Sequence, residues 1–303
     1  MNTIVLSALM GVVMMFAGIF LRKSNQIQWV ALLGACALMI ASLMDMRLPA
    51  EDSVVYFDMI EISTYSSWFS TLLSFCFLVY LFLFHKQIAA VGKNDADYFA
   101  LMYFVMCGVY LLSSYTNLLI LFLGIEIISI PQYILAGSDK ESMKSNEASL
   151  KYFLMGAFGT GILLMAITLL YGATGSFSIF SEVYAKAFET TSTLSSLSFA
   201  GILLLLISFG FKASAAPLHF WTPDVYDGSP TAFTPFMASI AKVSVFAAFI
   251  RIFHNSFGNI SDAWQVAIAA MIVLTLLFGN ITAVYQQSVK RMMAYSSIAQ
   301  AGF

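Results

Sequence analysis

Apolar residues arrive in runs of about twenty, and the polar residues between them are confined to short connections. A helix needs roughly 20 apolar residues to cross a hydrocarbon core about 30 Å thick. On that measure the pattern predicts membrane-spanning helices at about 3–21, 27–44, 66–84, 98–113, 116–136, 150–171, 197–213, 231–253 and 263–285, with a tenth starting near 293. No ten-residue segments alternate polar with apolar positions, so nothing points to strands. The expected architecture is an all-α polytopic membrane protein with about nine complete spans and a truncated tenth.

The connections carry the orientation signal. The polar loop 45–65 holds five acids and a single arginine, Arg47, whereas the loop 137–149 is short and mixed. Within 176–195 the run SIFSEVYAKAF is compatible with a short interfacial helix. If 197–229 counts as one interrupted crossing, Arg22, Lys23, Lys86, Lys93, Lys140, Lys144, Lys290 and Arg291 share one face, and Arg47, Lys186 and Arg251 the other. Lysine and arginine accumulate on the cytoplasmic side, so eight against three predicts an N-terminus outside the cell.

Composition narrows the class further. Hydrophobic residues make up 60% of the 303 and charged residues 10%, against roughly 25% charged in soluble domains. A net charge of −2 without any basic block excludes nucleic acid as a partner. Cys36, Cys76 and Cys107 each sit in an apolar run without CxxC or histidine-adjacent spacing, and read as core thiols. The N-terminus has no basic residue before its apolar stretch, so it reads as a first membrane helix and not as a cleaved signal.

The remaining three basic residues, Lys151, Lys212 and Lys242, belong to neither surface. Lys212 lies about sixteen residues into its span, Lys242 about twelve, and Glu126 about ten residues from either end of its own. A charge at such depth costs roughly 2.5–3.5 kcal/mol on insertion scales, so these side chains must face one another or a wet cavity. Burial disfavours the charged form and pairing favours it; a lysine poised between the two can exchange a proton. A structural ion pair between Glu126 and one lysine is the competing reading. Lys151, only a few residues inside its span, could instead reach the interface.

Residues 210–231 read GFKASAAPLHFWTPDVYDGSPT. Pro217 removes a backbone donor and clashes with the carbonyl of Ala213, so the helix is expected to break beside Lys212 and leave free carbonyls and water near its ammonium. Broken helices serve as ion sites in transporters. His219 lies two helical turns beyond Lys212, and a histidine's ordinary pKa of about 6.5 suits proton transfer; a hydrogen-bonded core histidine is the alternative. Asp224, Tyr226 and Asp227 are expected to cap or end a short half-helix, with Gly228 and Pro230 marking the restart. Trp221 reads as an interface anchor or as packing.

The run from Lys212 through Pro217, His219 and Trp221-Thr222-Pro223-Asp224-Val225-Tyr226 to Thr231 resembles the broken-helix signature of the antiporter-like, proton-translocating membrane subunits of respiratory complex I. Its TPDVY form is most like that of subunit N of bacterial NADH–quinone oxidoreductase. LGIEIISIPQYILAG around Glu126 and VKRMMAYSSIAQAGF at the end agree with it, so the resemblance covers about residues 100–303. It implies that Glu126, Lys151, Lys212, His219 and Lys242 form a proton relay. It also implies a division into N-terminal helices (1–97), the first of two inverted five-helix repeats with one discontinuous helix (98–254), and the start of a second repeat (255–303). Glu126 would tune Lys212 by pairing, and protons would pass by way of His219 to Lys242.

By the same resemblance the protein resides in the bacterial inner membrane and works with other membrane subunits and lipids. It carries no cofactor of its own; NADH, flavin and iron–sulfur clusters sit on partner subunits and quinone is the substrate of the complex. Family members continue through a second repeat, so the chain reads as C-terminally truncated. A subunit of a multisubunit sodium/proton antiporter and a structural scaffold are the rival readings.

Overall fold

The structure is a computed structural model that describes residues 1–21, 23–46, 54–92, 94–180, 184, 192–258 and 261–303. Its helices are α1 (Asn2–Phe20), α2 (Ser24–Asp45), α3 (Thr64–Ala90), α4 (Asp95–Ser114), α5 (Leu118–Ala136), α6 (Met143–Thr174) and α7 (Ser192–Ala213). They continue as α8 (Trp221–Gly228), α9 (234–255), α10 (Ser261–Val284) and α11 (Val289–Gly302). Among the described residues nine helices are long and apolar enough to cross a membrane, and each matches a span expected from the sequence. The protein is a multi-pass helical membrane protein.

Helix starts follow local chemistry. Ser63 and Ser66 form a reciprocal capping box at α3, the Asn117 side chain accepts from Leu119 N–H at α5, and Ser142 accepts from Ser145 N–H at α6. α6 ends at Gly175, whose φ of +69° lets its N–H return to the Tyr171 carbonyl. α4 is the most enclosed span and α10 the most open. α4 and α5 approach closely because a Cβ added at Gly108 would stand 2.8 Å from the Gly124 carbonyl oxygen.

Two expectations are corrected. Strands do occur: Val54–Tyr56 (β1) pairs antiparallel with Ile60–Ile62 (β2), in the register Val54 to Ile62 and Tyr56 to Ile60. Three-residue strands inside an acidic loop leave no long alternation to read. Ser176–Phe180 runs extended along the α4–α5 turn, where Ile179 N–H bonds the Thr116 carbonyl and Leu118 N–H the Phe177 carbonyl; of the rest of SIFSEVYAKAF, where a short interfacial helix was expected, only Tyr184 is described, and it is helical. Most of the rest of 176–195 lies outside the described residues. The three cysteines are free thiols, but Cys36 is exposed on α2 and is not a core residue.

Contacts define the two ends of the bundle. At one end Lys290 Nζ donates to the Ser229 carbonyl, and Gly228 packs against the Lys144 backbone. Arg251 lies at the other end with Glu61 of the hairpin. The expected grouping of Lys144, Lys290 and Arg291 against Arg251 matches this geometry. Arg22, Arg47, Lys93 and Lys186 lie outside the described residues.

Candidate functional site

The break after Lys212 is built differently from the expectation. Ser214 takes a left-handed conformation (φ +65°), its N–H bonds the Phe211 carbonyl, and Ala215 N–H bonds the Gly210 carbonyl at 2.8 Å. This crossed pair of bonds is a Schellman stop, with serine where glycine is usual. The helix therefore ends four residues before Pro217, not by a clash at it. Trp221 Nε1 adds a second donor to the Phe211 carbonyl, and Ala216 N–H bonds Thr275 Oγ1 on α10. Protein groups thus cap the carbonyls of Gly210 and Phe211, at a break where free carbonyls were expected near the Lys212 ammonium.

Lys212 reaches α5. Its Nζ donates to Ser129 Oγ at 2.9 Å and to the Tyr133 hydroxyl at 3.5 Å. Glu126, one turn earlier on the same face of α5, accepts instead from Thr160 Oγ1 of α6 at 2.7 Å. Among the described residues no direct ion pair joins Glu126 to Lys212; the lysine extends past the carboxylate to the next polar turn. Pro131 lies inside α5 between the two hydroxyl partners and removes one of its helical donors. Gly156 makes room for Tyr133, because a Cβ there would stand 2.0 Å from the hydroxyl oxygen.

Lys242 is 7% exposed. It follows a wide π-helical turn at Met237–Ala241 within α9, a local feature often found at functional sites. Its Nζ donates to Ser297 Oγ at 2.9 Å and to the Ser297 carbonyl at 3.3 Å on α11, and it lies 5.6 Å from the centre of the Tyr226 ring. Lys212 and Lys242 line one cavity of about 20 Å³, together with Ser129, Gln132, Tyr152 and Tyr226. One water needs about 10–15 Å³ by this kind of measure, so the space suits a single molecule.

His219 does not line that cavity. Its ring stacks on Phe220 and Phe278, and its Nδ1 is buried without a hydrogen-bond partner. Lys151 does not line the cavity either; its side chain is 42% exposed and held by Glu147 at 2.8 Å and Asp224 at 2.7 Å. Asp224 is not a cap: its second oxygen accepts from Arg291 at 2.7 Å, so one carboxylate ties α6, α8 and α11 together. Asp227 likewise accepts from Ser288, at 2.7 Å. Trp221 is packing, stacked on Tyr152 at 4.7 Å between ring centres.

Buried polar atoms without partners concentrate here. Of six such atoms among the described residues, those of Gln132, Ser214, His219 and Thr222 lie at the break or the cavity. Orphaned polar groups are costly and uncommon in packed interiors, so their concentration here singles this region out as the candidate site. Sequence reasoning missed Ser129, Gln132, Tyr133, Thr160 and Ser297, and took Tyr226 for a cap. Ser129 and Tyr133 follow Glu126 at i+3 and i+7, a helical-face signal that was available.

Residues 115–303 match the family described as NADH:quinone oxidoreductase/Mrp antiporter, transmembrane. NADH-quinone oxidoreductase subunit N of Cytophaga hutchinsonii is 43% identical over 82% of this chain and 53% of its own length. Subunit N of Trichlorobacter lovleyi is 32% identical over 100% of this chain and 62% of its own. The chain thus spans little more than half the length of these curated relatives. A chain of respiratory complex I from Thermus thermophilus with bound aureothin superposes with a TM-score of 0.80 at 31% identity, over 99% of this chain and 62% of that one. A chain of the Mrp complex from Dietzia sp. shares the fold, with a TM-score of 0.82 at 20% identity over 99% of this chain and 57% of that one.

Proposed function

The chain belongs to the NADH:quinone oxidoreductase/Mrp antiporter transmembrane family, and we propose that it acts as a proton-translocating membrane subunit of a complex I-type NADH–quinone oxidoreductase. The observation that carries this reading is the cavity shared by Lys212 and Lys242. Two lysines opening on one water-sized space can pass a proton between them without either leaving its helix. The relatives named subunit N support the assignment to the oxidoreductase; the Mrp likeness carries the fold alone.

Lys212 takes up a proton at the helix break and releases it toward Lys242, which hands it on past Ser297. Glu126 sets the balance by exchanging Thr160 for the Lys212 ammonium: paired, it holds Lys212 charged; withdrawn, it lets the proton go. A distant redox step that moves Glu126 would thereby drive transfer. Lys151 is the station at the loop end, with Glu147 and Asp224 holding its ammonium. His219, on the linker between the half-helices, is stacked outside the shared cavity and takes no part in the direct transfer from Lys212 to Lys242.

In this reading residues 98–254 form the first antiporter-like repeat, after N-terminal helices in 1–97 and before the start of the second repeat in 255–303. The protein lies in the bacterial inner membrane with its N-terminus outside and with the Lys144, Lys290 and Arg291 end in the cytoplasm. NADH, flavin and iron–sulfur clusters belong to partner subunits, where quinone is reduced.

Purification of the full-length protein through an affinity tag tests the assignment. The expected result is co-purification of NADH–quinone reductase activity and, after reconstitution, NADH-driven proton uptake that does not need sodium. Sodium-dependent antiport with no NADH-oxidising partner would replace this reading by the antiporter.

A further inference from the structure

Gln132 stands out within the lysine cavity. It is 2% exposed, lies on α5 one turn beyond Ser129, and lines the space that Lys212 and Lys242 share. The Tyr152 hydroxyl donates to its Oε1 at 2.8 Å. Tyr152 is itself locked, stacked on Trp221 with an interplanar angle of 9° and edge-on to Tyr133 at 4.8 Å. One end of the amide is therefore fixed by a side chain that cannot turn. At the other end Nε2 is buried with no acceptor among the described residues.

We propose that Gln132 is a positioning residue that holds a water molecule in the cavity between Lys212 and Lys242. The proposal deepens the relay reading and rests on it. An amide N–H donating to the water oxygen occupies one of its lone pairs. The other lone pair accepts an N–H of the Lys212 ammonium, and one water O–H points to the neutral Lys242 nitrogen. As the Lys212 proton moves to the water oxygen, the water's own proton moves to Lys242 Nζ. One N–H bond breaks and one forms, the water is regenerated, and no free hydronium is produced. An amide suits this task because it orients the water without competing for the proton, whereas a carboxylate would trap the ammonium beside it.

A structure of the assembled complex at a resolution that reveals waters tests the proposal. The expected result is an ordered water within hydrogen-bond distance of Gln132 Nε2, lost in Gln132→Leu while the helices stay in place. An Nε2 bonded to a protein acceptor with no water beside it overturns the proposal. In function, Gln132→Leu should slow NADH-driven proton uptake by about three- to tenfold, the worth of one neutral hydrogen bond. Gln132→Glu separates positioning from packing: its rate should fall with rising pH as the new carboxyl loses its donor proton. A profile no steeper than that of the native protein counts against the proposal. If Lys212→Ala abolishes pumping but no water is found at Gln132, the relay stands and the Gln132 site falls. If the water is present and Lys212→Ala pumps normally, the site stands and the relay falls.

Discussion

At the scale of single residues, the site depends on small side chains that hold larger ones in place. Gly156 leaves the space that the Tyr133 hydroxyl fills, and that hydroxyl is one of two partners of Lys212. Gly156→Ala should cost about 1–3 kcal/mol through overpacking and lower proton uptake by displacing Tyr133, as a melting curve and a vesicle assay would show. Ser214 works in the opposite sense. Its left-handed backbone suits glycine, so Ser214→Gly should raise stability by about 1 kcal/mol, read as a higher melting temperature. Glu126, Lys212 and Lys242 were legible in the sequence as candidates because a charge deep in an apolar run has few bland explanations; Lys151, near the end of its run, had one, and its side chain is 42% exposed. Their partners were not, since a serine, glutamine or tyrosine in a membrane helix stands out only once the helix is phased against its neighbours. Ser297 could not have been found at all: it meets Lys242 across 55 residues of sequence through tertiary packing.

At the scale of elements, the spans and the existence of a break were readable, but the way the break closes was not. Pro217 drew attention to the steric effect of proline, while the chain stops at Ala213 through backbone bonds that any small residues able to turn left could make. The hairpin was hidden for a related reason: its order comes from partners elsewhere. Thr116 N–H bonds the Met59 carbonyl, and Arg251 bonds Glu61 at 2.6 Å while also donating to the Tyr115 and Ser113 carbonyls. Arg251 thus joins α9, the α4–α5 turn and the hairpin. Removing one partner of a fully buried pair costs about 3–5 kcal/mol; the Glu61 side chain is 22% exposed, so Arg251→Ala should destabilise the protein by less than that. Hydrogen exchange should show the largest loss of protection in 54–62 and at the end of α9. Unchanged protection there would dismiss the clamp.

At the scale of the molecule, a buried clamp at one end of the bundle contrasts with a partly exposed ionic node at the other. Asp224 binds Lys151 and Arg291 with side chains 32–42% exposed, so each pair is worth no more than about 1 kcal/mol. Asp224→Asn should therefore cost little stability at moderate salt, and high salt should reduce even that difference, which a salt series of melting curves would reveal. Between these ends lies the proposed transfer of a proton from Lys212 to Lys242. NADH-driven proton uptake by vesicles bearing the assembled complex, native against Lys212→Ala, tests it most directly, with complex assembly verified in both. The variant should lose most of its uptake; uptake at the native rate and extent by a fully assembled variant would rule the transfer out.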